Sequence, residues 1–156
     1  MANSLDMRLE VDGDAQLKAM LSGLSLDLRN LRPAMDEVGR GAVRMFSGPV
    51  FASRGQRLGE SWPRLSTDYA AQKAKRYAGR PVLVRTGQMQ SRFAHQAAAT
   101  SVTIYNPDPK FKFHQSSAPR SKIPRRAMIG IYQGLDNDVR NTVAAVIARK
   151  IKERST

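Results

Sequence analysis

Residues 83–91 read Leu-Val-Arg-Thr-Gly-Gln-Met-Gln-Ser, an apolar start followed by a signal for helix initiation. The Thr86 hydroxyl can accept a hydrogen bond from a backbone N–H group of the next turn, as N-cap residues do. We therefore expect a helix that runs through Met89 to Phe93. Gly87, which has no Cβ, would let that turn approach another backbone closely. By itself this segment has an architectural role.

Two further segments lie on either side of it. Residues 62–65 read Trp-Pro-Arg-Leu, and residues 123–130 read Ile-Pro-Arg-Arg-Ala-Met-Ile-Gly. A single Trp after a Gly- and Ser-rich stretch usually fills a core or an interface, and the core is the favoured place for Trp62. The last segment is a turn that runs into an apolar stretch. Since none of these segments carries reaction chemistry alone, their order and spacing hold the information.

Taken in order, the segments resemble those of the phage virion morphogenesis family, the tail-completion or neck proteins of Mu-like and related tailed phages. That family has a Trp and a Leu three residues apart, which here are Trp62 and Leu65. Its Leu-x-x-Thr-Gly-x-(Leu or Met)-x-x-Ser core matches Leu83, Thr86, Gly87, Met89 and Ser91. Its Pro-x-Arg-(Pro)-Phe-like-Leu-Gly segment is similar to Pro124 through Gly130, with Ala127 in place of the second Pro.

The resemblance extends from about Phe51 to the C-terminal helix, and it implies a function, a location and partners. It implies a structural virion protein of the neck or tail-completion type, located at the neck or tail end and assembled in the host cytoplasm. The chain would form a homo-oligomeric ring, with a hexamer expected, and join the tail to the head. Its other neighbours would be the tail terminator or tube and the head connector proteins, with packaged DNA within contact range. From the residues themselves we expect no enzyme activity, no cofactor and no membrane contact.

The chain carries a formal charge of +13, and this charge is concentrated in the middle of the sequence. Residues 41–130 hold sixteen basic and three acidic side chains, whereas residues 1–40 hold five basic and seven acidic ones. Such a field attracts a polyanion or an acidic protein face over roughly 8 Å at physiological salt. General solubility, with basic residues scattered over a solvated surface, is the alternative interpretation.

We predict that one set of these cations contacts DNA phosphates or acidic neighbouring proteins: Arg54, Arg57, Arg120, Lys122, Arg125 and Arg126. Lys73, Lys75 and Arg76 crowd the last turn of another predicted helix, where they either complement the helix dipole or face DNA. The same charge is consistent with a different function, that of a sequence-independent nucleic-acid-binding accessory protein.

The composition argues against several kinds of site. The absence of Cys excludes disulfides and thiolate metal sites. His95 and His114 lie on different predicted elements, without an acidic cluster at ligand spacing, so neither a zinc site nor catalysis is expected. The acids of residues 41–130 are too few for a two-metal nuclease. No apolar run approaches the roughly 20 residues that a membrane-spanning helix requires.

The hydrophobic pattern predicts an α+β fold with a small antiparallel sheet. We expect residues 1–156 to form a single domain in three parts: an N-terminal strand and helices (1–50), the motif-bearing α+β core (51–135) and a long C-terminal amphipathic helix (136–154).

Within the N-terminal part and the start of the core, we expect a strand over residues 7–11, a helix capped by Asp14 and a second helix from Pro33. Residues 47–61, rich in Gly, Ser and Arg, are predicted to be a loop, and a well-capped helix should run from Ser66 to Tyr77.

The second half of the core alternates with period two. Val102 and Ile104 indicate a strand, residues 106–109 a turn, and residues 110–114 a second strand that closes a hairpin. In that hairpin Phe111 and Phe113 would point inward. The remaining residues before the C-terminal helix are predicted to be a polar, basic loop.

Overall fold

The structure of the chain, a computed structural model, describes residues 7–10, 30–116 and 122–154. The helix predicted to begin at Asp14 and the side chain of Arg120 lie outside the described residues. The described helices are α1 (Arg32–Ser47), α2 (Pro49–Ala52), a 3-10 turn (Gln56–Leu58), α3 (Thr67–Arg76), α4 (Gln88–Ser91), α5 (Phe111–Gln115) and α6 (Leu135–Arg154).

In the described part of the chain, three short strands form an antiparallel sheet: β1 (Met7–Glu10), β2 (Ala94–Ala97) and β3 (Ser101–Tyr105). β3 is central. It pairs with β1, with Met7 opposite Ile104, and on its other side with β2, with Ala94 opposite Tyr105. The predicted α+β fold is confirmed.

The helix α1 covers one face of the sheet and contacts both β2 and β3. Its buried residues recur at helical spacing: Ala34, Met35, Val38, Ala42 and Phe46. At this contact the Nε2 atom of His95 lies 2.7 Å from Oδ1 of Asp36. This hydrogen bond, more than the charge of the neighbouring Arg40, lowers the pKa of the Asp36 carboxyl. The helix predicted from Pro33 is therefore present.

The helix α6 packs on the other side of α1. Its buried residues lie along one side: Leu135, Val143, Val146 and Ile147. Burying each such aliphatic side chain fully stabilises the fold by roughly 1.5–3 kcal/mol. The predicted C-terminal helix is confirmed, although it begins one residue earlier, so Asp136 lies in its first turn and does not cap it.

Aromatic rings fill the space between these elements. Phe51 meets Trp62 edge to face at 5.2 Å between ring centroids, and Phe93 meets Phe111 in the same way at 6.0 Å. Such geometry is favourable for aromatic pairs beyond the area they bury. The prediction that Trp62 belongs to the core is confirmed, because its side chain is buried.

The loop predicted for residues 47–61 is wrong. The segment folds into α2 and the 3-10 turn, because Val50 and Phe51 are buried in the core and hold the backbone against it. Between these two turns, Arg54 and Gly55 both adopt positive φ angles, 51° and 86°. The Gly- and Arg-rich composition of this segment therefore did not predict its two ordered turns.

The hairpin predicted around residues 106–109 is also wrong. Residues 111–115 form helix α5, and β3 instead pairs with β1 and with the preceding strand β2. The Asp108 carboxylate accepts a hydrogen bond from the Lys110 backbone N–H at 2.9 Å, which turns the chain into the helix. Phe111 is buried as expected, but Phe113 is exposed because the two rings no longer share a strand face.

Candidate functional site

The three motif segments, residues 62–65, 83–91 and 123–130, converge on one open groove of about 690 Å³. Although about 20 to 30 positions separate them in sequence, each contributes to its lining. The lining residues are Arg64, Leu65, Ser66, Tyr69, Lys73, Leu83, Arg85, Thr86, Gly87, Gln88, Met89, Asp108, Lys110, His114, Lys122, Ile123, Pro124 and Arg126. We call this surface the basic groove.

One wall of the basic groove is the helix α3, which directly follows the first segment. The Ser66 side chain caps it by accepting a hydrogen bond from the Tyr69 backbone N–H at 3.4 Å, and Asp68 lies in the first turn. The helix predicted here is therefore present, one residue shorter at its C-terminal end. Its cap sets the start of the helix, which in turn aims Tyr69 and Lys73 at the groove.

Lys73 differs from the other two cations of its turn. Its side chain is only 6% exposed, and Nζ donates a hydrogen bond to the Pro81 carbonyl oxygen at 2.5 Å. Burial, followed by repulsion from Arg126, lowers the pKa of Lys73. Lys73 lies in the last turn of α3, as the dipole interpretation predicts, but it is buried and not part of an exposed DNA-facing surface, while Lys75 and Arg76 are exposed.

The second segment, residues 83–91, contributes another part of the lining. The Thr86 hydroxyl accepts a hydrogen bond from the Gln88 backbone N–H at 3.4 Å, as predicted, but the N-cap residue of α4 is Gly87, which gives the helix no side-chain cap. The helix ends at Ser91 and does not reach Phe93, because that ring turns into the core. The prediction for Gly87 is wrong in its reason: within the described residues no atom lies within 4 Å of a Cβ built there, and its φ of 85° is what requires glycine.

The third segment is clamped to the first by Arg126. The guanidinium donates to the carbonyl oxygens of Pro63 and Arg64, at 2.9 and 3.0 Å, and its side chain is only 5% exposed. Burial lowers the pKa of Arg126. Its charge is therefore buried in the groove lining and is not exposed on the open surface, while its predicted contact with DNA or an acidic protein stays a prediction.

Two amides whose long-range hydrogen bonds the sequence did not predict hold the same region together. The Gln115 side chain donates to the Ile129 carbonyl oxygen at 2.7 Å and accepts from the Met128 and Ile129 backbone N–H groups. The Asn106 side chain donates to the Met89 carbonyl oxygen at 2.7 Å. Both are long-range contacts, which no local sequence pattern reports.

The predicted contact cations do not form one patch. Lys122 and Arg126 line the basic groove, whereas Arg54 and Arg57 are exposed outside its lining. Arg125 is exposed and forms an ion pair with Glu60. The structure also brings four other cations to the groove, namely Arg64, Arg85, Lys110 and Lys73. Arg64 and Arg85 lie inside the motif segments, and this position in the sequence is the feature that could have identified them.

The electrostatic balance of the lining is strongly positive. Six Lys or Arg side chains face one acid, Asp108, whose carboxylate is buried and lies 3.7 Å from the Arg92 guanidinium. Apolar side chains lie between the cations. Tyr69 and Ile123 are 41% and 36% exposed, which is high for residues of their type, and Leu65, Leu83 and Met89 are half-buried. The surface thus combines positive charge with exposed apolar area.

Among the described residues, no three His, Asp or Glu side chains come together in a way that could hold a metal ion. In that same part of the chain, no helix combines the length and apolar character that crossing a bilayer requires.

Comparison with known proteins gives one match. A sequence profile of the phage virion morphogenesis family matches residues 12–151. No curated protein and no solved structure matches the chain. The matched range contains all three segments that line the basic groove.

Proposed function

The chain belongs to the phage virion morphogenesis family, and from this premise we propose that it is a structural protein of the neck or tail-completion type. Membership makes its role one in the assembly of phage particles. In the proposal, copies of the chain form a ring, expected to be a hexamer, that joins the tail to the head. Its neighbours are the tail terminator or tube and the head connector, and packaged DNA passes close to it.

The observation that carries this proposal is the convergence of the family-like residues on the basic groove. Two of them hold the backbone in place, Trp62 through its hydrogen bond to Ala127 and Gly87 through its positive φ angle. Others line the open surface, among them Leu65, Leu83, Met89 and Pro124. Residues that shape and line an open, basic and partly apolar surface suit docking to another macromolecule. Bond-breaking chemistry would call for a different residue set, and we assign the chain no catalytic role.

A ring also requires two different contact patches on each subunit, because its interfaces are heterologous. A second hollow, of about 400 Å³, lies between α1 and α6 and is lined in part by Val38, Met45 and Val139. Near it, Ile131 is 81% exposed. The basic groove and this apolar hollow are the two surfaces that we propose for contacts within the ring and with the tail or head.

Electron microscopy of particles assembled without this protein tests the proposal. We expect filled heads beside unattached tails, with joining restored when the wild-type chain is supplied from a plasmid. Normal joined particles in its absence, or purified virions that lack the chain, would show that it has no joining role.

The alternative function, sequence-independent nucleic-acid binding, is favoured by the sixteen basic against three acidic residues of the middle region. It predicts a duplex affinity that falls by roughly 10³–10⁵ between 50 and 200 mM salt if six to ten phosphates are contacted. The structural proposal predicts incorporation into particles even where the free chain has negligible affinity for DNA. Measuring both properties on the same preparation separates the two.

A further inference from the structure

We propose that the basic groove binds an acidic segment of a partner protein, with a carboxylate of that segment placed against Lys73 and Arg126 and an apolar side chain between Tyr69 and Ile123. This inference rests on the proposed assembly function, and it names the class of partner that the same surface takes.

The first argument is the pair of buried cations on the groove floor. Lys73 and Arg126 are both buried, and the charge of Arg126 acts on the Lys73 ammonium. Both donate hydrogen bonds to backbone carbonyl oxygens, of Pro81 in one case and of Pro63 and Arg64 in the other. Among the described residues, no carboxylate forms an ion pair with either. Carbonyl dipoles solvate a charge but do not neutralise it, so two like charges remain together in a poorly solvated place.

The one acid of the lining does not supply the missing negative charge. Asp108 faces the Arg92 guanidinium, and its Oδ1 atom accepts the Lys110 backbone N–H. Its own backbone N–H is held by the Asn106 side chain at 3.0 Å. The Asp108 carboxylate therefore stabilises the turn that starts α5. A negative charge that pairs with Lys73 and Arg126 must come from outside the described residues.

The rim of the groove extends the positive field outward. Arg64, Arg85, Lys110 and Lys122 are exposed and surround the floor cations. Arg85 lies over the Tyr77 ring at 5.5 Å, which holds its guanidinium in place. Exposed cations of this kind raise the rate of encounter with an acidic partner, while a buried cation with unused donors fixes its carboxylate.

The apolar side chains argue for a polypeptide. Tyr69 rises from α3 and Ile123 from the third segment, and Leu65, Leu83 and Met89 lie half-buried in the same lining. The charged phosphates of a nucleic-acid backbone offer no apolar group that could pack against these side chains. A stretch of protein that carries both carboxylates and an aliphatic or aromatic side chain would cover them and bury their apolar area.

The depth of the charges argues against a DNA duplex. A duplex is a stiff, wide rod whose phosphates contact exposed cations at a surface, and its sequence-independent affinity comes from those contacts. It cannot reach side chains that are buried at the floor of a groove of about 690 Å³. A single strand could enter and stack a base on Tyr69, so it is the alternative that an experiment must separate.

Fluorescence anisotropy with the intact chain tests this inference. The probe is a short capped peptide of alternating Asp and Leu residues, and its matched control has Asn in place of every Asp. We expect the acidic peptide to bind and the neutral one to bind at least roughly tenfold more weakly, because charge-assisted hydrogen bonds are lost. A labelled oligothymidylate and a labelled duplex complete the set, and both should bind more weakly than the acidic peptide.

Variants place the binding in the groove. Lys110→Ser combined with Lys122→Ser removes two rim cations, and Tyr69→Ser removes an apolar wall; each should weaken peptide binding roughly tenfold. Lys75→Ser combined with Arg76→Ser is the matched control, because it removes the same charge from exposed positions outside the lining. Lys73→Gln should abolish binding; since it could also unsettle the fold, circular dichroism of each variant accompanies the titrations.

Three outcomes would overturn the inference: equal binding of acidic and neutral peptides, tighter binding of oligothymidylate that the groove variants abolish, and equal losses in the rim and control variants. Particle incorporation is scored separately. If the chain joins tails to heads but its groove ignores acidic peptides, the docking inference fails and the assembly function stands. If the groove binds acidic peptides but virions lack the chain, the proposed function fails on its own.

Discussion

The indole Nε1 of Trp62 donates a 2.8 Å hydrogen bond to the carbonyl oxygen of Ala127, and this contact joins the first motif segment to the third across 65 positions of sequence. The adjacent Arg126 makes the reverse connection, from the third segment to the carbonyl oxygens of the first. The neighbouring residues Arg126 and Ala127 are therefore both hydrogen-bonded to residues 62–64. Their contacts hold the first and third segments of the basic groove together.

Replacing Trp62 with Phe should destabilise the fold, although the new side chain is also aromatic. The Ala127 carbonyl oxygen would lose its donor in a buried place, which costs about 1–3 kcal/mol in the free energy of unfolding. Urea denaturation followed by circular dichroism measures the change. Tyr69→Phe, at an exposed ring, is the control and should stay within about 0.5 kcal/mol of the wild type. Equal stability of Trp62→Phe and the wild type would show that the bond contributes nothing.

Two glycines of helix α1 should respond in opposite directions to the same substitution. A Cβ at Gly39 would lie 2.3 Å from Cδ2 of the His95 ring, whereas a Cβ at Gly41 would meet no atom of the described part of the chain within 4 Å. We expect Gly39→Ala to lower the free energy of unfolding by about 1–3 kcal/mol through overpacking. Gly41→Ala should raise it by up to about 1 kcal/mol, because Ala is the better helix former. Thermal unfolding of the two variants compares them directly, and a shift of the same sign in both would contradict the packing at His95.

Arg126 and Lys122 should separate stability from surface charge. Arg126→Ser leaves the Pro63 and Arg64 carbonyl oxygens without their donor, so the free energy of unfolding should fall by about 1–3 kcal/mol. Lys122→Ser removes the same charge from an exposed position and should change it by less than about 0.5 kcal/mol. Denaturant midpoints at fixed salt measure both effects. Should Arg126→Ser be as stable as Lys122→Ser, the guanidinium would not be a clamp.

Tyr132 should ionise at unusually high pH. Burial, followed by its 3.0 Å hydrogen bond to Asp138 and the charge of that carboxylate, raises the pKa of Tyr132 from 10.0 to about 12. Because the folded-state pKa is the higher one, this stabilisation is complete below about pH 10 and is lost as the pH rises through about 12.

The phenolate absorbance of the wild type, with that of Tyr132→Phe subtracted, isolates this titration. Asp138→Asn should move it to lower pH without returning it to the ordinary value, because the ring stays buried. An unchanged titration in Asp138→Asn would mean that the carboxylate plays no part.

The local sequence pattern predicted an element correctly where a single hydrophobic periodicity corresponded to a single buried face. The helices around Met35, Ser66 and Val143 were predicted because apolar spacing, a cap or terminal charges all indicated the same element. The strand at Met7 followed from alternation. The family resemblance came from motif order alone, and the matched range of residues 12–151 confirms it.

Local pattern failed where a distant contact decided the outcome. Alternation in residues 110–114 resembles a strand, but both sides of β3 are taken by β1 and β2, and the Asp108 side chain starts a helix there instead. In residues 47–61 a loop-like composition was overridden by the burial of Val50 and Phe51. The long-range hydrogen bonds of Gln115 and Asn106 were not predicted, because each side chain is bonded to backbone that the fold brings near.

The amino-acid sequence by itself determined the fold class, the family and the excess of positive charge in the middle of the chain, since these depend on residue types and spacing along the chain. Only the tertiary structure decided which cations are buried, which are paired and which share one groove, because those properties depend on distances between segments far apart in sequence. Lys73 shows the difference: one of three similar cations in a helix turn, it alone is buried beside Arg126.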